Sequence, residues 1–191
     1  MEEEEVLRMV VTCLDERKAT QMAAWLLERT TNRRMKYLKL IKLLYIADRE
    51  AIRRWAQPLT GDSYYSLPHG PVVSRIQDLI TEDPEFSEST YWTDYISRED
   101  YDVILNSSPP YTHLSEAEID LLKEVFDKFG TMSRWHLRDL THNYPEWQDP
   151  AGSRIPISYE DILKAVGRGS EAEEIAREIE AENFVNDLLG H

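Results

Sequence analysis

Apolar residues recur every three to four positions along most of this chain, the spacing that gathers them on one face of a helix. The stretch KATQMAAWLLERT carries Met22, Trp25, Leu26 and Arg29 at that spacing, with alanines that favour helix. A short polar break, TTNRR, separates it from MKYLKLIKLLYIADREAIRRWA, the strongest helical pattern in the sequence. There Leu38, Ile41, Tyr45, Ile52 and Trp55 lie close to one stripe, and Leu40, Leu44 and Ala47 widen it. So broad an apolar face predicts a central helix packed on several neighbours. Pro58 keeps it from continuing.

Elsewhere the period changes. SYYSL is short and aromatic, and reads as a strand or extended segment. In STYWTDYISREDYDVIL, Tyr91, Thr93 and Tyr95 alternate with Trp92, Asp94 and Ile96, and SRED reads as a turn into YDVIL. The alternation predicts a small antiparallel hairpin with Trp92 and Tyr95 on opposite faces. NSSPPYTH is a loop, and the remainder is helical with marked starts. Ser115 with Glu118 makes a capping box, Ser133 caps RWHLRDLTH, Ser158 precedes Asp161, and Ser170 with Glu173 makes a further box. Gly130 suits a left-handed helix end. Pro71, behind His69 and Gly70, suits the first turn of a helix over the amphipathic run that follows. The expected fold is mainly α (α+β): a single compact helical domain of about six helices with a small antiparallel β-ribbon. An acidic extension (1–18) precedes the domain (19–168), and an acidic helix (169–191) follows it.

Composition narrows the function. The 191 residues carry a net charge of −14, with acid concentrated at both ends. That argues against nucleic acid as a principal ligand, because phosphate binding needs clustered Lys and Arg. Cys13 is the only cysteine, which rules out an intrachain disulfide and a cysteine-based zinc site. No run reaches the roughly 18 apolar residues of a membrane span, and the acidic start lacks the basic region of a signal peptide. The expectation is a cytoplasmic protein with no membrane partner.

Chemistry-bearing residues are few. His69 has Asp62 and Ser63 nearby in sequence, but no nucleophile elbow surrounds them. A corner in which its imidazole hydrogen-bonds a neighbouring segment competes with partner contact and with catalysis. His136 and His142 are too far apart for one helix face, so no metal site is expected, and no glycine-rich loop holds a phosphate or cofactor. Lys36, Lys39 and Lys42 recur every third residue, either as a solvated flank of the long helix or as a patch for an acidic partner surface. The rings of Tyr91, Trp92 and Tyr95 either pack on the helices or anchor a protein partner.

Taken in order, the long helix with its KLIKLLYIAD core, the corner YSLPHGPVV, the stretch from LSEAEIDLL to RWHLRDLTHNYPEW and the closing PISYEDIL resemble the Panacea domain, the SocA-like antitoxin domain. The resemblance runs from about Ala19 to about Val166. It implies an antitoxin of a bacterial or phage toxin–antitoxin module, acting in phage defence, that neutralises a co-encoded protein toxin by direct contact. It also implies an alternative, an adaptor that delivers the toxin to a Clp-type protease. A small hydrolase using His69 or His142 is the remaining alternative; no enzymatic activity is expected. On this resemblance Tyr45, Asp48, His69, Gly70, Pro71, Trp135, Leu140, Thr141 and His142 fall on signature positions that hold the scaffold. Toxin recognition then falls to the segments between, with Tyr91, Trp92, Tyr95, Lys36, Lys39 and Lys42 as candidates.

Overall fold

The computed structural model describes residues 14–81 and 90–189. Cys13 and the acidic run at residues 2–5, on which two expectations rest, lie outside them. Helix α1 (Glu16–Glu28) starts where Asp15 accepts a hydrogen bond from the Lys18 amide, and it is buried continuously from Ala19 to Leu27. A turn through Asn32, in the left-handed region at φ 59°, leads into β1 (Arg34–Lys36). Helix α2 (Tyr37–Trp55) then crosses the molecule and ends on left-handed Ala56 at φ 58°. Every residue from Leu40 to Asp48 is buried. α2 is therefore the central helix that its wide apolar face predicts.

The hairpin β2 (Tyr64–Leu67) and β3 (Gly70–Val73) follows, then α3 (Ser74–Thr81), α4 (Tyr91–Tyr95), and the hairpin β4 (Ile96–Glu99) and β5 (Asp102–Leu105). The chain closes with α5 (Glu116–Phe129), α6 (Arg134–His142), β6 (Ile155–Ile157), α7 (Tyr159–Ala165) and α8 (Ala172–Leu189). The described residues thus hold eight helices and two three-stranded antiparallel sheets, ordered β1-β5-β4 and β3-β2-β6. The mainly helical α+β class stands, but the count of about six helices and the single ribbon do not. The strand that adds to each hairpin, β1 or β6, is three residues long, too short to show a period: Met35 pairs with Val103 in one sheet, and Ile157 with Tyr64 in the other.

α2 packs against α1, α5, α6 and α7, and against strands of both sheets. Leu40, Leu43, Leu44 and Ile52 are fully buried there, each worth about 1.5–3 kcal/mol relative to exposure. The caps at Ser115, Ser133 and Ser158 form as expected, the first and third as full capping boxes.

Four local expectations are corrected. Tyr91–Tyr95 is a helical turn, not a strand: the Thr90 and Thr93 side chains cap it reciprocally, and the Trp92 amide donates to Glu16 Oε1 at 2.8 Å. Five residues of alternation fit one helical turn as well as a strand, so the period could not decide. Pro71 does not open a helix; it lies opposite Ser66 in β3, an edge strand where its missing N–H costs no ladder bond. The helix opens three residues later, because the Asp62 carboxylate accepts from the Arg75 and Ile76 amides. Gly130 has φ −63°, an ordinary right-handed value. Ser170 lies too early to cap α8, whose first residue is Ala172.

Candidate functional site

The β2–β3 hairpin turns at Pro68 and His69 and brings Gly70 over the middle of α2 and the end of α6. Gly70 has φ +91°, and a Cβ there would stand 2.8 Å from Thr141 Oγ1, 3.0 Å from Lys42 Nζ and 3.2 Å from His142 Cδ2. Glycine is required both by its left-handed backbone and by this close approach. Gly70→Ala is expected to cost roughly 2–4 kcal/mol, from left-handed strain plus overpacking. Urea denaturation measures it, and a loss under about 1 kcal/mol would show that the cluster yields freely.

Lys42 is fully buried and donates from Nζ to the Pro71 carbonyl at 2.6 Å. Burial lowers its ammonium pKa to about 7. Thr141, also fully buried, donates its hydroxyl to the Arg138 carbonyl at 3.0 Å. His142 stacks on Trp147 at 4.1 Å between ring centroids, its Nε2 is buried without a hydrogen-bond partner, and burial together with the nearby Lys42 lowers its pKa. Trp147 Nε1 donates to the Leu67 carbonyl at 3.2 Å, and the Gln148 amide donates to Ser66 Oγ at 3.1 Å. Residues from α2, the hairpin, α6 and the segment after α6 therefore lock one another in place.

Two further buried polar centres flank this junction. Tyr45 Oη donates to Glu146 Oε1 at 2.9 Å, and Arg49 Nε reaches the same oxygen at 2.6 Å. On the other side Asp48 accepts from the amides of Leu59 and Thr60 at 2.9 and 3.0 Å, from the Thr60 hydroxyl, and from Tyr64 Oη at 2.9 Å. Burial raises the Asp48 pKa, and raises that of Asp62 to about 7 despite its backbone N–H partners. Among the described residues no three His, Asp or Glu side chains converge as a metal ion would require.

Of the signature residues, Tyr45, Asp48, Gly70, Pro71 and Thr141 are buried and Leu140 and His142 are partly buried. His69 and Trp135 are exposed. The His69 imidazole makes no hydrogen bond among the described residues, so the expected bridge to a neighbouring segment is absent. Its ring instead meets the Trp135 indole edge-on at 6.2 Å between centroids. Trp135 is 45% exposed at the start of α6, with the Arg134 and Arg138 guanidiniums 4.7 and 5.1 Å from its ring centre.

The other candidates are scattered. Trp92 is 2% exposed in the core. Tyr91 and Tyr95 are half-buried against each other, with Arg17 4.8 Å over the Tyr91 ring. The lysines do not form the solvated flank that their spacing suggests: Lys36 pairs with Asp102 at 2.9 Å, Lys39 donates to the Gly130 carbonyl, and Lys42 is sealed inside. Sequence reasoning placed Trp135 in the scaffold and missed it as a surface ring. The available signal was local: Arg134 and Arg138, four apart, flank it, and Trp135 is two residues before Leu137 and six before Thr141, off the row that those buried residues share.

No curated protein and no solved structure matches the chain. The family described as antitoxin SocA-like, Panacea domain, matches residues 40–148, more than half of the 191. That span runs from the start of the buried stretch of α2 through the hairpin and α6 to Gln148, and so contains the junction around Gly70. The chain belongs to the SocA-like antitoxin family through its Panacea domain.

Proposed function

We propose that this protein is an antitoxin that neutralises a co-encoded protein toxin by direct, stoichiometric contact, without catalysis. The observation that carries the reading is where the signature side chains go. Tyr45, Asp48 and Thr141 each have 0% exposure, as does the toxin-binding candidate Lys42, and their hydrogen bonds close within the chain. Groups sealed in this way hold a shape and meet no substrate. What they hold rigid is a surface, and binding through a surface is what an antitoxin needs. The two histidines of the hydrolase alternative fit it poorly. His69 is exposed without a hydrogen-bonded acid or nucleophile, and His142 is committed to stacking on Trp147.

The test is co-expression with the product of the neighbouring open reading frame. That product is expected to arrest growth alone and to be silenced by this chain at one equivalent, with its own abundance unchanged. Protection that survives many toxin equivalents would instead indicate turnover, and loss of the toxin from the cell would indicate delivery to a protease.

A further inference from the structure

Trp135 is an exposed ring on a helix that the junction around Gly70 fixes in place. It opens α6, whose other end carries Thr141 and His142 against Gly70, and the His69 ring on the hairpin tip meets its edge. Two of its neighbours are cationic: Arg134 and Arg138 bracket the ring, with the His69 ring at its edge. Arg138 is paired with Asp139 at 2.6 Å, whereas Arg134 has no carboxylate partner within ion-pair distance among the described residues. Elsewhere Arg54 is paired with Glu124 and Lys164 with Glu160, while Arg17 and Arg154 each lie over a tyrosine ring, Tyr91 and Tyr65, rather than over a tryptophan. Around Trp135 a small cationic and aromatic face therefore stands on a chain of net charge −14, with Arg134 as its unpaired charge among the described residues.

We propose that this face, Trp135 with Arg134, Arg138 and His69, is where the toxin docks, and that the toxin segment it takes is acidic, with carboxylates flanking an apolar side chain. The proposal rests on the toxin-binding reading above and deepens it. The apolar side chain lies on the indole, whose N–H donates to no group among the described residues, and the carboxylates meet the two guanidiniums. An Arg-flanked tryptophan on a pre-organised support has the composition and rigidity of an interface hot spot. A nucleic acid would meet the repulsion of the surrounding acidic surface over many phosphates. A short acidic protein segment needs only the two arginines. A basic partner is turned away by those same guanidiniums.

Binding is measured by calorimetry and stopped-flow with the purified product of the neighbouring toxic gene, against Trp135→Ala, the double variant Arg134→Glu/Arg138→Glu, and Tyr101→Ala. Tyr101 is 60% exposed on the other sheet and serves as the control ring. Trp135→Ala is expected to raise Kd by about 30-fold or more. The charge reversal is expected to slow association by about tenfold and to flatten its salt dependence. Tyr101→Ala should bind as the wild type does, and all three should melt with it, since each changed side chain is wholly or partly on the surface. If Trp135→Ala melts early, the arginine pair decides. Unchanged affinity in both altered-face variants, with wild-type binding intact, overturns the docking site while the antitoxin reading survives. No binding by the wild type overturns both. Sedimentation of the chain alone checks the remaining occupant: a dimer that Trp135→Ala dissolves would make the face a self-contact, and the proposal would fall.

Discussion

Asp48→Ala is expected to remove at least about 4 kcal/mol of stability, a large share of the roughly 5–15 kcal/mol of a typical domain. The carboxylate is fully buried on α2 and accepts four hydrogen bonds, from two amides and two hydroxyls. Those donors are buried too: Thr60 is 0% exposed, Tyr64 3% and Leu59 5%. Alanine would strand all four without admitting a substitute. A buried donor left unpaired costs about 1–3 kcal/mol. The lost bonds also free the segment from Leu59 to Tyr64, which leads into the hairpin that carries Gly70. Asp48→Asn keeps one oxygen and the volume, so its expected loss is smaller, about 1–3 kcal/mol. Chemical denaturation of the three proteins tests the ranking. An alanine variant within about 1 kcal/mol of wild type would mean that Asp48 is not what holds this segment.

Antitoxin activity should follow the same order for a reason unrelated to binding. Asp48 lies in the core, far from any surface a toxin could touch, so loss of function in its variants tracks the fraction unfolded. At a temperature where Asp48→Asn is still folded, its affinity for the toxin should equal that of wild type. Trp135→Ala is expected to show the reverse pattern, intact folding with lost affinity. If Trp135 is the docking ring proposed above, the two positions separate scaffold from interface among residues that share one family signature.

What the sequence makes legible follows from how local each cause is. The capping boxes at Ser115 and Ser158 are completed within three residues, and the order of residues declares them. α2 is equally plain, because an apolar face that wide admits only a central helix. α4 reads as a strand because its local cause is weak: the Thr90–Thr93 box has no glutamate to mark it, and the five residues are few enough to fit either period. The further support, Glu16 accepting the Trp92 amide, comes from 76 residues away. The helix after Pro71 was placed too early because its cap, Asp62, comes from before the hairpin. The family resemblance drew attention to the corner and to α6, which pack together around Gly70, but not to the exposure of their residues. Nothing in the order of residues says that His69 faces solvent, or that Thr141, six residues after Trp135, faces Gly70. Lys42 shows the limit most clearly. It shares a three-residue spacing with Lys36 and Lys39, yet its ammonium is buried because a carbonyl from Pro71, 29 residues on, waits for it.

That buried lysine makes the second large effect, a stability that changes with pH. In an unfolded chain a lysine titrates near 10.4, whereas burial lowers Lys42 to about 7 in the folded protein. Between those values the folded protein holds the amine neutral and the unfolded chain holds it charged, so folding releases a proton. The unfolded state then binds more protons, and stability rises with pH across the window. Below about pH 7 both states are protonated, and the contribution is flat at its least favourable level. Each pH unit inside the window is worth about 1.4 kcal/mol, so Lys42 alone can add on the order of 4 kcal/mol between pH 7 and pH 10. Other groups titrate over the same range, and a variant lacking the amine removes them from the comparison. Lys42→Met keeps much of the stem and volume but leaves the Pro71 carbonyl without its donor, at a cost of about 1–3 kcal/mol. Because that cost does not vary with pH, it shifts the curve without tilting it. The difference in unfolding free energy, wild type minus Lys42→Met, is therefore expected to grow steadily from pH 7 to pH 10 and to stay constant from pH 5 to pH 7. Urea denaturation at half-unit steps measures it. Parallel curves above pH 7 would show that Lys42 keeps its proton in the core, and the junction around Gly70 would then enclose a charge.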